Sequence, residues 1–272
     1  MIIELLNGIR IDVEEKYGLK RLFHRIPSLT VEHLTEAVEA RGDLIIGTEF
    51  NQRNITVTLL YFVNDICSYD LLRDELNALL VRNEPFYIIF KREHWKRYKV
   101  RLAQQLEMEP NNKAESFDVL FRTENLFGES IGTSLDLQNK DNWDSDLWGF
   151  GAGIDYDTKY QYTFNKNDFI VKNIGNQTIN PRQSDFDIIL KGRFSNYVQI
   201  TNHTTGDVYR FNGNLTSTDT LRLTGIRTLK NSLSRFRDTN HNILTLAPGD
   251  NRITVEGGTV ESMNFDFRFL YK

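Results

Sequence analysis

The sequence predicts a mainly β protein of two domains: an α+β N-terminal half with one main helix, and a C-terminal β-sandwich of jelly-roll type. Three observations carry this. Only one stretch, residues 68–82, repeats leucine at helical spacing. The second half breaks into eight short apolar or alternating runs separated by turn residues. Asn plus Gly rises from 15 in residues 1–134 to 27 in residues 135–272, and both tolerate the positive φ that tight turns demand.

In residues 29–40, LTVEHLTEAVEA, alternation at Leu29, Val31 and His33 supports a strand. Leu34, Ala37 and Val38 also fit a helix; the strand is preferred. Residues 44–63 predict a β-hairpin: an apolar run at Leu44–Ile46, a polar tip at Asn51-Gln52-Arg53-Asn54, then β-branched alternation through Ile55 and Val57. The helix follows, with Leu72, Leu76, Leu79 and Leu80 on one face, Ser68 able to cap it, and Asp70 near its positive dipole end. Asn83 and Pro85 end it. Strands are then expected at Phe86–Arg92, Arg97–Leu102 and Ser116–Thr123.

A connector at residues 135–158, centred on the Gly- and Asp-rich NKDNWDSDLWGFGAGIDYD, separates an N-terminal domain (1–134) from a C-terminal one (159–272). The runs of the latter are Phe169–Val171, Phe186–Leu190, Tyr197–Thr201, Val208–Phe211, Thr220–Leu223, Ile243–Leu246, Arg252–Val255 and Phe265–Leu270. Turns such as Asn173-Ile-Gly-Asn176 and Pro248-Gly-Asp-Asn251 punctuate them.

A chain of 272 residues, 40% hydrophobic, can bury a sizeable core without staples. Net charge is −4 with no block of like charge, so a broad basic face for duplex nucleic acid is not supported. The single cysteine, Cys67, excludes an internal disulfide framework and any multi-cysteine zinc site. No run approaches the ~18 apolar residues of a membrane helix. The opening MIIELLNGIRID meets Asp12 too early for a signal peptide, so a soluble chain made in the cytoplasm is expected.

Catalytic patterns are missing. No two of His24, His33, His94, His203 and His241 stand three to five residues apart, which removes the helical metal pair. Cys67 precedes the helix, where a thiolate is favoured, but nothing places a base beside it; it reads as a small half-buried residue. The glycines of Gly149–Gly153 lack the dinucleotide frame and are followed by Asp155 and Asp157, so they read as a flexible connector. Asp141, Asp144 and Asp146 lack the Gly and Glu of a calcium loop and read as an acidic linker. There is no G-x-S-x-G elbow, and a glycosidase carboxylate pair cannot be found by spacing. No enzyme and no cofactor is predicted. Four N-x-[ST] sequons, at Asn54, Asn176, Asn202 and Asn214, carry little meaning without a signal peptide.

One basic cluster interleaves aromatics, from Lys91 to Arg101. It could contact phosphates as single-strand binders do, or form the solvent face of a half-buried hairpin. Between these lies a third reading: Lys91, Arg92, Lys96, Arg97 and Lys99 lining a wide channel that nucleic acid crosses without being bound.

The second half carries an ordered set of motifs: Phe169-Ile-Val-Lys-Asn-Ile-Gly-Asn-Gln-Thr-Ile-Asn-Pro181, Ile188-Ile-Leu-Lys-Gly192, Ile200-Thr-Asn-His-Thr-Thr-Gly206 and Leu244-Thr-Leu-Ala-Pro-Gly-Asp-Asn-Arg-Ile253. Together with Trp148-Gly-Phe-Gly-Ala-Gly153 and Phe117-Asp-Val-Leu-Phe121, their order and spacing resemble the siphophage distal tail protein family. The resemblance implies a galectin-like C-terminal sandwich and a homo-hexameric ring at the end of a long non-contractile tail. The N-terminal domains would line a central channel for DNA. One ring face would meet the major tail tube protein, the other the tail-associated hub or lysin protein, with receptor-binding proteins at the periphery. The chain would be made in the host bacterial cytoplasm and reside in the virion tail tip. Ring assembly would give the strands around Leu44, Ile46, Ile55 and Val57 neighbours to pair with, making these four the interface candidates. The turns of the second half leave little room for the long arm or sugar-binding insertion that some members carry.

The alternative is a carbohydrate-binding, lectin-like module for host-surface glycans. Against it, Trp95, Trp143 and Trp148 all precede the second sandwich, and Tyr197 and Tyr209 fit packing positions. A peptidoglycan hydrolase has no nucleophile–base or metal motif to support it.

Overall fold

The structure is a computed structural model. It describes every residue except 39–41, 111–112, 140–146, 150 and 156, so the acidic triplet Asp141, Asp144 and Asp146, and Trp143, lie outside the described residues. The fold is mainly β, in two compact units: residues 1–128 with Lys272, and residues 129–271.

The first unit is built from β1 (Ile2–Glu4), β2 (Arg10–Asp12), α1 (Val13–Tyr17), β3 (Lys20–Arg25), β4 (Thr30–Val38), β5 (Gly42–Asn51), β6 (Asn54–Phe62), α2 (Ile66–Leu80), β7 (Phe86–Ile89), β8 (Lys96–Leu102) and β9 (Ala114–Thr123). All but β4 and β5 join one antiparallel sheet in the order β2–β1–β7–β8–β9–β6–β3. The leucine stripe of α2 packs into a single core with Ile55, Val57 and Leu59 of β6, Phe86 and Ile88 of β7, and Phe117, Val119 and Phe121 of β9. Each large apolar side chain so buried contributes about 1.5–3 kcal/mol relative to exposure.

Two expectations are corrected here. The helix starts at Ile66, capped by Asp65, whose Oδ1 accepts from the Ser68 N–H at 2.8 Å. A carboxylate both accepts that bond and meets the helix dipole, so it displaces the neutral serine. Cys67 therefore lies inside the first turn, and it is exposed. The second correction is the hairpin. Strand β5 turns back on β4, from Thr30↔Asn51 to Val38↔Gly42, while β6 lies between β3 and β9. The segment Asn51–Asn54 is thus a corner between two sheets. Arg53, buried at that corner, donates to the carbonyls of Pro27 and Leu126 at 3.1 Å each.

The second unit opens with β10 (Gly128–Thr133) and α3 (Ser134–Gln138), whose first turn is closed by a capping box between Thr133 and Asp136. Then come β11 (Thr163–Phe164), β12 (Asp168–Asn173), β13 (Phe186–Asn202), β14 (Asp207–Asn212), β15 (Leu221–Thr224), β16 (Arg227–Lys230), β17 (Leu233–Ser234) and β18 (Gly249–Tyr271). Strands β13 and β18 run antiparallel from Phe186↔Phe267 to Asn202↔Ile253, with a break between Phe194 and Gln199, and form the spine. At one end the spine carries β15, β16 and β17 beside β13, and β11 beside β18; at the other it carries β14 and β12. Bulges after Lys191 and Phe194 bend the pair between these ends, as in sandwiches whose strands pass from one sheet to the other. Gly257 serves the bend: its φ is +96° and a Cβ there would lie 2.1 Å from the Tyr197 carbonyl.

Four of the expected short runs are therefore two long strands. Another, Ile243–Leu246, is not a strand; only Leu246 bridges, to Ile179. Buried asparagines take the place of a ladder there. Asn202 Nδ2 donates to the Thr245 carbonyl at 2.7 Å, Asn173 Nδ2 to that of Leu246 at 3.2 Å, and Asn251 bonds both backbone groups of Ala247. The core is aromatic, with Phe164 stacked on Phe169 at 4.1 Å and Phe265 edge-on to both.

The glycine-rich stretch is not a loose connector where it is described. Trp148 and Ala152 are buried in the second unit, Trp148 lies edge-on to Phe269, and Tyr271 donates its hydroxyl to the Ala152 carbonyl at 2.8 Å. Gly132 makes room for the indole: a Cβ there would stand 2.4 Å from it.

Candidate assembly surfaces

Among the described residues, no group of three or more His, Cys, Asp or Glu is placed to hold a metal ion. Each histidine seen in contact is used locally: His24 stacks on Phe90 at 4.0 Å, His33 meets Thr48, His203 meets Thr254, and His241 packs on Phe236. Among the described residues no helix is long and apolar enough to cross a membrane.

The first notable surface is the β4–β5 ribbon. Residues directly opposite in an antiparallel pair share a face, so Val31 with Phe50 and Thr35 with Ile45 lie on one side, and Leu34 with Gly47 and Glu36 with Leu44 on the other. Ile46 is the extra residue of a bulge between these pairs. Leu44, Ile45 and Ile46 are 57%, 58% and 60% exposed, and Val31, Leu34 and Phe50 are exposed too. A two-stranded ribbon with apolar residues on both faces buries neither alone. At its base, Lys272 lies over the Phe50 ring at 4.2 Å.

Of the four interface candidates, Leu44 and Ile46 lie on this ribbon. Ile55 and Val57 do not: both are 0% exposed, on a strand paired along both edges. Their side chains are enclosed in the core of the first unit. Sequence reasoning passed over Ile45, Val31, Leu34 and Phe50. The signal for them was the consecutive run Leu44-Ile45-Ile46, which on any strand must place apolar groups on both faces.

The second surface is the β7–β8 turn, a single tight helical turn at Lys91–Glu93 followed by β8. Its cations are largely matched within the first unit. Lys91 pairs with Asp12 at 2.6 Å, Lys96 with Glu93 at 3.2 Å, and Arg97 with the buried Glu4, which also takes Arg10 at 2.6 Å. Burial opposes ionisation of Asp12, yet the hydrogen bond from Lys91 outweighs it together with the other nearby groups and keeps its carboxyl below the usual range. The same bond raises Lys91. Arg97 also lies over the Tyr87 ring at 3.9 Å and Lys96 against Trp95 and Tyr98. Arg92 is exposed and Lys99 half-buried.

The described tyrosine and tryptophan candidates for a sugar platform are covered. Tyr209 is buried with its hydroxyl 3.0 Å from that of Thr228, the Tyr197 ring is covered by Arg210 at 4.1 Å, and Trp95 and Trp148 are buried.

Comparison with known proteins adds three findings. Residues 14–123 match the profile of the phage tail protein RIFT-related domain. The crystal structure of the SPP1 Dit protein, described as a paradigm of the hub adsorption apparatus in phages infecting Gram-positive bacteria, superposes with a TM-score of 0.70 at 12% identity, covering 99% of each chain. A chain of the phage p2 baseplate, in its activated conformation with strontium, gives a TM-score of 0.45 at 11% identity, covering 98% of this chain and 96% of that one. No curated protein is matched by the sequence. Residues 14–123 thus match a phage tail protein domain, within a fold that the chain shares end to end with the SPP1 Dit protein, and the resemblance to the siphophage distal tail proteins holds.

Proposed function

We propose that this chain is a structural, non-enzymatic distal tail protein: six copies form a ring at the tail tip, with a central channel for DNA. The ring would join the major tail tube protein on one face to the tail-associated hub protein on the other, with receptor-binding proteins at its edge. Synthesis in the host cytoplasm and incorporation into the virion belong to the same reading. The observation that carries it is the shared fold with the SPP1 Dit protein across both whole chains, together with the phage tail domain at residues 14–123. The exposed apolar ribbon supports it, since such a surface calls for a partner and identical copies supply one by symmetry. Leu44 and Ile46 are the interface residues of this proposal, and the turn carrying Lys91, Arg92, Lys96, Arg97 and Lys99 lines its channel. Cations already paired with carboxylates make a polar wall with weak hold on phosphate, which suits passage.

Light scattering across a concentration series tests the ring. Six chains of 31.8 kDa give about 191 kDa. A mass that stays at one chain throughout, and stays there when the tail tube protein is added, overturns it.

A further inference from the structure

The outer face of the β12–β18 pair in the second unit forms a cleft of about 510 Å³. The buried face of β12 carries Phe169 and Val171; the outer one carries Asp168, Ile170 and Lys172, opposite Thr254, Arg252 and Asp250 of β18. Lys159 and Lys166, from the segment before β12, close its sides. Arg252 is held by Asp168 at 2.8 Å, which leaves three lysines, Lys159, Lys166 and Lys172, against two carboxylates, Asp250 and the nearby Asp155 that feels the charge of Lys172. Residues 129–271 as a whole hold 15 Lys and Arg against 17 Asp and Glu, so this local excess of positive charge runs against its surroundings. Ile170 stands in the middle, 54% exposed.

We propose that the cleft docks an acidic polypeptide segment of a partner protein, carboxylates on Lys159, Lys166 and Lys172 and an apolar side chain on Ile170. Charge complementarity selects an anion; the exposed isoleucine selects a polypeptide among anions. Bases and sugars are held by stacking on an open aromatic face, and here the aromatic rings of the lining, Tyr160, Phe164 and Phe169, are all buried. This inference does not depend on the ring: the cleft lies wholly within the second unit and is built without a second copy.

The test uses the full chain and a fluorescein-labelled peptide of alternating glutamate and leucine, followed by anisotropy at low ionic strength. Binding that weakens as salt is added, falls about tenfold or more in the Lys166→Glu, Lys172→Glu double variant, and falls about threefold in Ile170→Ser is the expected result. Both sets of changes are outside the core, and circular dichroism confirms folding. Equal affinity for wild type and double variant overturns the proposal. So does equal binding of a glutamine–leucine peptide. Polyphosphate that binds the cleft while the glutamate–leucine peptide does not would assign it to a bare polyanion and overturn the polypeptide.

Discussion

His24 shows how much a single side chain can decide. Its Nδ1 lies 2.6 Å from the Arg21 guanidinium and its ring is stacked on Phe90, so the neutral imidazole accepts from a cation in a half-buried place. Burial first, then the charge of Arg21, holds its pKa below the ordinary histidine value of 6.5. The unfolded chain therefore binds the proton more readily than the folded one. Stability from this group is complete above pH 6.5 and is lost as pH falls towards the lower folded value. Urea unfolding at neutral and mildly acid pH should show this loss, and His24→Phe should flatten the pH dependence; an unchanged slope would remove the argument. Gly132 is a second such residue. Its replacement by alanine drives a methyl into the Trp148 ring and is expected to cost about 1–3 kcal/mol, read as a lowered urea midpoint.

Elements follow the sequence where the chemistry is local. The leucine spacing of α2 gives the helix and its core-facing stripe, though it ends at Leu80 and not at residue 82, and Leu76→Ala should cost about 2–5 kcal/mol in chemical denaturation. The cap was less legible, because Asp65 and Ser68 both suit the position and only their geometry separates them. Pairing was least legible. Whether β5 turns back on β4 or goes on to β6 depends on the corner at Arg53, whose two carbonyl partners, Pro27 and Leu126, are remote in the chain. The alternation of Ile55 and Val57 gave a strand correctly and its neighbours wrongly, which is how two core residues came to be interface candidates. The long strands β13 and β18 read as pairs of short ones because a bulge and a bend interrupt alternation as a turn does. For Ile243–Leu246, apolar alternation was present, but asparagine side chains had taken the backbone groups a strand would use. Asn251→Ala, which leaves both backbone groups of Ala247 without that partner, should cost about 1–3 kcal/mol per group and loosen this segment in hydrogen exchange.

At the scale of the whole molecule, the proposed ring and the ribbon stand or fall together. Leu44→Asp with Ile46→Asp places charge on residues outside the core, so the chain should remain folded while its mass in solution drops from the hexamer to one chain. Light scattering with circular dichroism reads both at once, and a hexamer that survives the double change would move the interface elsewhere. The spine of the second unit has a further consequence, for the order in which the molecule is made. Every strand of the first unit lies before residue 124, but β11, β12 and one edge of β13 wait for β18, which begins at Gly249. The first unit can therefore close during synthesis, whereas in the second β13 gains β14 and β15 but keeps its other edge open until β18 emerges. A chain arrested before Gly249 would carry a finished first unit attached to a β13 with one open edge, a natural target for chaperones and for proteolytic trimming.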